Sequence, residues 1–592
     1  MTDDKYILSF KTPNTSSFMF MHDPSAVLSK NGKIIAGIEE ERLSRIKHAS
    51  NIFPIKSIEF CLSEAGIDFS DVDTIVIPDN PDLFKKDLRN FGRFKRAKYK
   101  WFLLKKYKEL IGPKNPSFNF MPSSEKCKKI IYRNLINHFG DSNYPPIEFL
   151  SHHLCHAASC FYTSSFKDAS IVTMDGVGDF DSTVIWSWNG KNLKREIGWK
   201  LDNSLGHFYG AFTIFLGYSL CNGESKVMGL APYGEKNKDI FDVFNEIIKT
   251  DEKGYDVTEI SIPLLFGKAV AVKRIEDLFG IKRRLTNQEF TKEHKDLAFA
   301  LQYFLEKICK NLVKQSIEIT GSRNVCLSGG VALNCKMNKK IMELSELKNL
   351  FIQPVAHDAG LALGAVLEQS NRMGHSPFFK MTHNYFGPSY DDAKIKRVIE
   401  ERKIKYTKLN DLRIVAQAIA DGKFVGWLQG KMEMGPRALG NRSILMDPRR
   451  NELKDNLNEY VKHREKWRPY APSILEDFAE EYIENYNLAP FMIKTFDINK
   501  NIIQNIEAVL HPVDKTTRPH VVYQDTNPRY YNLIKEFYNI TGIPVILNTS
   551  FNDHGEPIVC SPEDAVKTFY VTGLDILVIE DYMISKELEY NY

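Results

Sequence analysis

Apolar and polar positions alternate in the same order in two separate stretches of the chain. From His22 to Glu40, HDPSAVLSKNGKIIAGIEE reads as a polar turn, a strand, an Asn31-Gly32 hairpin turn and a second strand. From Ser170 to Ile197, SIVTMDGVGDFDSTVIWSWNGKNLKREI repeats that order as strand, Asp-Gly loop, strand, Asn189-Gly190 turn and strand. The repetition predicts a duplicated unit. Two later segments, NVCLSGGVALN (Asn324 to Asn334) and FIQPVAHDAGLALGAVLE (Phe351 to Glu368), each run from an apolar strand through glycines into a helix start. Free backbone N–H groups and the positive end of a helix would face a phosphate there, although glycine turns also simply connect elements. Neither segment is a Walker A or GxGxxG loop.

After Glu368 the polar stretch QSNRMGHSPFFKMTHNYFGPSYDD loses periodicity, which places a boundary near residue 375 and predicts domains 1–375 and 376–592. Beyond it, VGWLQG and IPVILNTS read as strands and SPEDAVKTFYV as a helix. The fold class expected is α/β. A length of 592 residues exceeds what one core supports, and 43% hydrophobic with 26% charged residues argues for a fully folded chain.

Charge and cysteine content change the picture little. A net charge of +4 is too mild to indicate nucleic acid or membrane binding, so any anion site must be local. The run RNFGRFKRAKYKWFLLKKYKEL, Arg89 to Leu110, interleaves basic and aromatic residues but fits a solvated helix face better than a nucleic-acid contact. Nucleic acid is not an expected partner. Nine scattered cysteines without a CxxC pair read as reduced thiols. An acidic N-terminus and the lack of a long apolar stretch point to no membrane and a cytoplasmic location.

In SHHLCHAASCFYTSSF, small residues predict a helix that carries His152 and His156 on one face. Asp175 and Asp358, read as turn-borne carboxylates, could complete a site of two imidazoles and two carboxylates. Such a set suits Fe(II), Mn(II) or Zn(II) and does not choose among them. By itself a His-x3-His pair reads more readily as two imidazoles hydrogen-bonded inside a core, and whether His153 or His357 adds a contact is open. Toward the C-terminus, Arg437, Arg442, Lys462 and Arg468 stand among Gly, Pro and aromatic residues. Cations buried there call for an anion, and guanidinium forks match phosphate or carbamate oxygens. RPHVV adds Arg518, and VILNTSFNDHGEPIV ends a strand in Asn548, Ser550 and Asn552.

The ordered strings HDPSA, EEERLSRIKH, HHLCHAAS, MDGVGD, GESKVMGLAPYG, SGGVALN, HDAGLALGA, GPRALGNRS, VKHREKWRPYAPS and LNTSFNDHGEPIV span nearly the whole chain. Together they resemble the carbamoyltransferase family of the nodulation-factor and antibiotic (tobramycin-type) O-carbamoyltransferases. The resemblance implies a duplicated N-terminal domain of the actin/sugar-kinase/Hsp70 type and a C-terminal α/β domain similar to threonylcarbamoyl-adenylate synthase. It implies an iron-type ion on His152, His156, Asp175 and Asp358, and nucleotide phosphates at Gly176, Gly329, Gly330 and Asn334. Carbamoyl phosphate and ATP would bind at Arg437, Lys462, Arg468, Arg518 and Asn548 and give carbamoyl-adenylate. His22, as base, and Lys47, as oxyanion partner, would act where a small-molecule hydroxyl, on a sugar or secondary metabolite, is carbamoylated. On its own, Lys47 in its charged string reads as a solvated helix face.

This chain departs from the family pattern at Cys155, Cys160 and His357 and in a longer stretch before His22. A tRNA threonylcarbamoyl-transferring enzyme is the alternative, against which the fused C-terminal half and GPRALGNRS argue. A homodimer is compatible with the sequence.

Overall fold

Strands β1 (Tyr6–Phe10), β2 (Ser25–Lys30), β3 (Lys33–Glu39), β4 (Val72–Ile77) and β5 (Ile147–Phe149) form a sheet of order β3-β2-β1-β4-β5 in this computed structural model. The structure describes residues 4–13, 22–83, 86, 123–140, 143–251, 254–465 and 467–586; the basic run at Arg89 to Leu110 lies outside them. Asn31-Gly32 joins β2 to β3, β1 pairs antiparallel with β2, and β1, β4 and β5 run parallel.

A second sheet repeats the plan. It contains β6 (Ser170–Gly178), β7 (Asp181–Trp188) and β8 (Leu193–Lys200) and, beyond the small hairpin β9 (Lys249–Asp251) and β10 (Gly254–Asp256), β11 (Asn324–Ser328) and β12 (Asn349–Ile352). Its order β12-β11-β6-β7-β8 is the first sheet's order in the equivalent strands. The senses match too: β6, β7 and β8 are antiparallel neighbours, while β6, β11 and β12 run parallel. This is the duplicated α/β arrangement that the two similar hairpins predict. Parallel central strands need cover on both faces, which is why Ile7, Leu8, Ile171, Val172, Val325 and Leu327 are all buried.

The helix His152–Phe161 packs against the helix Leu361–Arg372. Gly364 makes this approach close, since a Cβ there would lie 1.8 Å from the Cys155 carbonyl oxygen. One difference from the sequence reading concerns Asp175. The strand does not turn at Asp175-Gly176; β6 continues to Gly178 across a register shift between Met174 and Gly178, and the chain reverses at Asp179, which has φ 51°. A bulge of this kind bends the strand and re-aims a side chain without ending the ladder. Asp175 is therefore strand-borne.

The chain divides into two units, Met1–Ile35 with Ser50–Lys380, and Ala36–Ala49 with Met381–Tyr592. The second is built on an eight-stranded mixed sheet. Its strands are β13 (Thr407–Lys408), β14 (Val425–Leu428), β15 (Arg442–Met446), β16 (Ala471–Leu475), β17 (His520–Val522), β18 (Val545–Ser550), β19 (Ile576–Ile579) and β20 (Tyr582–Ser585). Their order is β13-β20-β19-β14-β15-β18-β16-β17.

The string EEERLSRIKH belongs to this unit, and its first charges are buried. Glu39 accepts the Gly435 N–H at 2.7 Å, Arg42 donates to the Gly435 carbonyl at 2.8 Å, and Arg45 donates to the Pro557 and Ile558 carbonyls. Among the described residues no helix is long and apolar enough to cross a membrane.

Candidate functional site

The N-terminal half of the His152–Phe161 helix, the bulged end of β6 and the short turn Asp358–Gly360 bring His152, His156, Asp175 and Asp358 together. One ligand atom from each lies within 4.8 Å of every other. His152 Nε2 is 3.1 Å from Asp175 Oδ2 and 3.7 Å from Asp358 Oδ1; His156 Nε2 is 3.4 Å and 3.8 Å from the same two oxygens. Atoms bound to one ion at about 2.1 Å stand about 3–4 Å apart, so these spacings suit a shared ion. His156 Nε2 is buried and makes no hydrogen bond, an orphaned lone pair that an ion would satisfy.

Each of the four side chains is also held from behind by its other atom, as metal ligands commonly are. His152 Nδ1 bonds Asp79 Oδ1 at 2.9 Å, and His156 Nδ1 lies 3.4 Å from Ser328 Oγ. Asp175 Oδ1 accepts the Gly330 N–H at 3.2 Å, and Asp358 Oδ2 accepts from the Lys11 ammonium. Gly178 is required beside this set, because a Cβ there would stand 2.0 Å from the His152 ring. His153 turns away, with Nδ1 2.9 Å from Thr173 Oγ1, and burial holds it down to about 3. His357 is outside the four-residue group.

The electrostatics have the same sense. Burial alone would discharge His152, yet Asp358, Asp175 and Asp79 hold its proton well above the ordinary imidazole range. Burial alone would raise Asp358, yet Lys11 and His152 keep its carboxyl well below the usual range. A proton on His152 thus supplies positive charge where an ion would supply it, so ion binding would release a proton. Asp179, which accepts the His152 N–H at 2.9 Å, is pushed up to about 7 by burial and by Asp79.

The remaining first-unit candidates are distributed as follows. His22 Nδ1 lies 2.9 Å from Asp23 Oδ2; burial opposes its charge, but Asp23 and Cys221 hold its proton well above the ordinary range. Gly176 faces His207, an imidazole that burial lowers to about 4. The Gly329 N–H donates to the Ala356 carbonyl at 2.9 Å and that of Gly330 to Asp175, so both are engaged within the fold. Asn334 caps the helix Cys335–Met342 and exchanges hydrogen bonds with Gln302.

In the second unit, strand register gathers the cations. Parallel β16 and β17 pair Ser473 with His520, while antiparallel β16 and β18 pair Ala471 with Asn548. Arg468 and Arg518, which precede β16 and β17, therefore stand at the same sheet end as Asn548 and the residues after it. Lys462 Nζ donates there to the Ser550 carbonyl at 2.9 Å and to the Asn552 carbonyl and side chain at 2.8 Å. No carboxylate lies within 4 Å of Lys462 among the described residues. Burial, with Arg464, Arg468 and Lys47 nearby, lowers its ammonium well below the usual range. Lys47 itself pairs with Glu41 at 3.3 Å.

Asn548 is fully buried; its amide donates to Ser473 and to the carbonyl of Ala438, next to Arg437, but its Oδ1 has no partner. Arg518 Nε is likewise buried without a partner. Arg468 pairs with Glu465 at 3.9 Å, but Lys462 without a carboxylate partner and two orphaned polar atoms at one sheet end are what an anion site provides. Arg442 has a different place: it donates to the carbonyls of Gln429, Gly430, Asn441, Cys560 and Pro388, so it needs no anion.

Sequence reasoning missed Lys11, Asp79 and Asp23. Asp23 follows His22 directly and was within reach; the other two carry no local motif.

Comparison with known proteins agrees with this two-part organisation. The chain matches the carbamoyltransferase N-terminus over residues 16–367 and the carbamoyltransferase C-terminus over residues 416–586. It belongs to the carbamoyltransferase family, a family of transferases. It is 38% identical to Nodulation protein NolNO of Sinorhizobium fredii, over 98% of this chain and 80% of that protein. Nodulation protein NolO of Bradyrhizobium diazoefficiens is 37% identical over 74% of this chain and 79% of its own length. The Synechocystis protein sll1178 is 35% identical over 96% and 95%.

Proposed function

We propose that the chain is an ATP-dependent O-carbamoyltransferase that makes carbamoyl-adenylate in its second unit and uses it in its first. The observation that carries the reading is the sheet end where, among the described residues, Lys462 has no carboxylate partner and Arg518 Nε and Asn548 Oδ1 are buried without a hydrogen bond, in a chain of this family. Carbamoyl phosphate would lose phosphate to water and leave carbamate. A carbamate oxygen would attack the α-phosphorus of ATP, and pyrophosphate would leave. Arg437, Lys462, Arg468 and Arg518 would neutralise charge on the phosphates and on the departing pyrophosphate, and Asn548 Oδ1 would accept from the carbamoyl NH2.

Transfer would then occur in the first unit, where an acceptor hydroxyl attacks the carbamoyl carbon and AMP leaves. The four-residue cluster would hold a divalent ion, Fe(II) by the family resemblance with Mn(II) and Zn(II) as alternatives, and that ion would supply positive charge beside the adenylate phosphate. His22 would take the hydroxyl proton, with Asp23 fixing the ring. Phosphate contact near Gly176, Gly329 and Gly330 would come through groups other than the N–H of Gly329 and Gly330, which are already bonded. Lys47, an oxyanion partner by the family resemblance, belongs to the second unit.

The test is carbamoyl-labelled carbamoyl phosphate with ATP and a panel of hydroxylated sugars and secondary metabolites. Label should appear in an acceptor carbamate with one AMP per transfer. Because a base must be unprotonated and His22 holds its proton tightly, the transfer rate should climb with pH through a midpoint above 6.5, the ordinary imidazole value. A flat profile across that range would remove His22 as the base. Transfer without AMP would remove the adenylate.

A further inference from the structure

The oxygens of the two cluster carboxylates are held in unequal ways. Asp175 gives its outer oxygen to a neutral backbone N–H, whereas Asp358 gives its outer oxygen to the ammonium of Lys11. Lys11 follows β1 directly and is 2% exposed. Its charge also faces Asp79 and Asp23. Such a cation is not needed to satisfy Asp358 alone, since a neutral donor does that for Asp175.

We infer that Lys11 is a positioning residue that confines Asp358 to one oxygen toward the ion and lowers the cluster's affinity for it. The inference rests on reading the cluster as a divalent-ion site. Two physical effects carry it. First, with Oδ2 bonded to Lys11, only Oδ1 faces His152 and His156, at 3.7 Å and 3.8 Å, so two-oxygen chelation by Asp358 is blocked. One coordination position that a chelating carboxylate would fill is left for water or a substrate oxygen. Second, Lys11 sets one positive charge against the carboxylates of Asp23, Asp79, Asp175 and Asp358, whose negative charge would attract a divalent ion. A buried cation beside the site repels that ion, and at these separations the repulsion is large. The cluster is thereby kept exchangeable and open toward a phosphate oxygen.

Metal-free full-length protein titrated with Mn(II) alone tests this, with free Mn(II) followed by paramagnetic resonance and bound water by proton relaxation. The wild type is expected to bind one Mn(II) at the cluster. Lys11→Met removes both charge and clamp, and should bind at least about tenfold tighter with fewer exchangeable waters on the bound ion. Lys11→Gln removes the charge but keeps a donor for Asp358, so it should gain affinity while retaining the wild-type water count. Either variant, if only one folds, decides the affinity question. A lysine that merely fills the fold would lower thermal stability and leave the Mn(II) affinity within threefold of wild type, and that result overturns the inference. Wild-type protein that binds no ion overturns the metal reading itself.

Discussion

Replacing Arg518 with Met should lower carbamoyl phosphate-dependent ATP–pyrophosphate exchange by about a hundredfold or more, while the unfolding temperature stays near that of the parent. The pairing of these outcomes follows from what Arg518 lacks. Its Nε is buried without a hydrogen-bond partner, so removing the guanidinium breaks little that holds the protein together and takes away an uncompensated cation. A structural arginine behaves in the opposite way. Arg442 donates to five carbonyls, and its loss would leave those acceptors unpaired and destabilise the unit. Thermal unfolding beside the exchange assay separates the two. A variant that loses stability and exchange in parallel would place Arg518 with Arg442.

Asp175→Asn should have the larger effect on transfer, with metal content falling to background and acceptor carbamoylation falling about a thousandfold. The amide keeps an oxygen for the Gly330 N–H, so the local fold is retained, but it no longer offers a charged oxygen 3.1 Å and 3.4 Å from the two imidazole nitrogens. Exchange with pyrophosphate should be unchanged within about threefold, because adenylate formation is assigned to the other unit. Metal analysis with both assays on one preparation reads this result. Loss of exchange together with transfer would argue against a division of labour between the units.

How far the sequence foretold these features depends on distance along the chain. The two hairpins were legible because an Asn-Gly turn and alternating side chains are local signals, and they appear as β2–β3 and β7–β8. The path of β6 was not legible, since a bulge that carries the strand past Asp175 and Gly176 is set by its pairing with β7. His152 and His156 could be paired from their spacing on one helix face. Asp79 and Lys11 could not, because Asp79 meets its histidine across 73 residues and Lys11 meets Asp358 across 347.

The string EEERLSRIKH was misleading in a similar way. Its charges suggest a solvated helix, but Glu39 and Arg42 find their partner at Gly435, which turns a charged segment into a buried one. Arg442 was drawn toward an anion role by its neighbours in sequence, when backbone carbonyls from four segments already satisfy it.

The most direct measurement supplies the wild-type protein with ATP, labelled pyrophosphate and carbamoyl phosphate, and withholds any acceptor. Label should enter ATP only when carbamoyl phosphate is present, because the carbamate it releases forms carbamoyl-adenylate, and labelled pyrophosphate then attacks that α-phosphorus, expels carbamate and gives labelled ATP. Protein that folds and carries its ion, yet moves no label with carbamoyl phosphate at saturating concentration, would contradict the account.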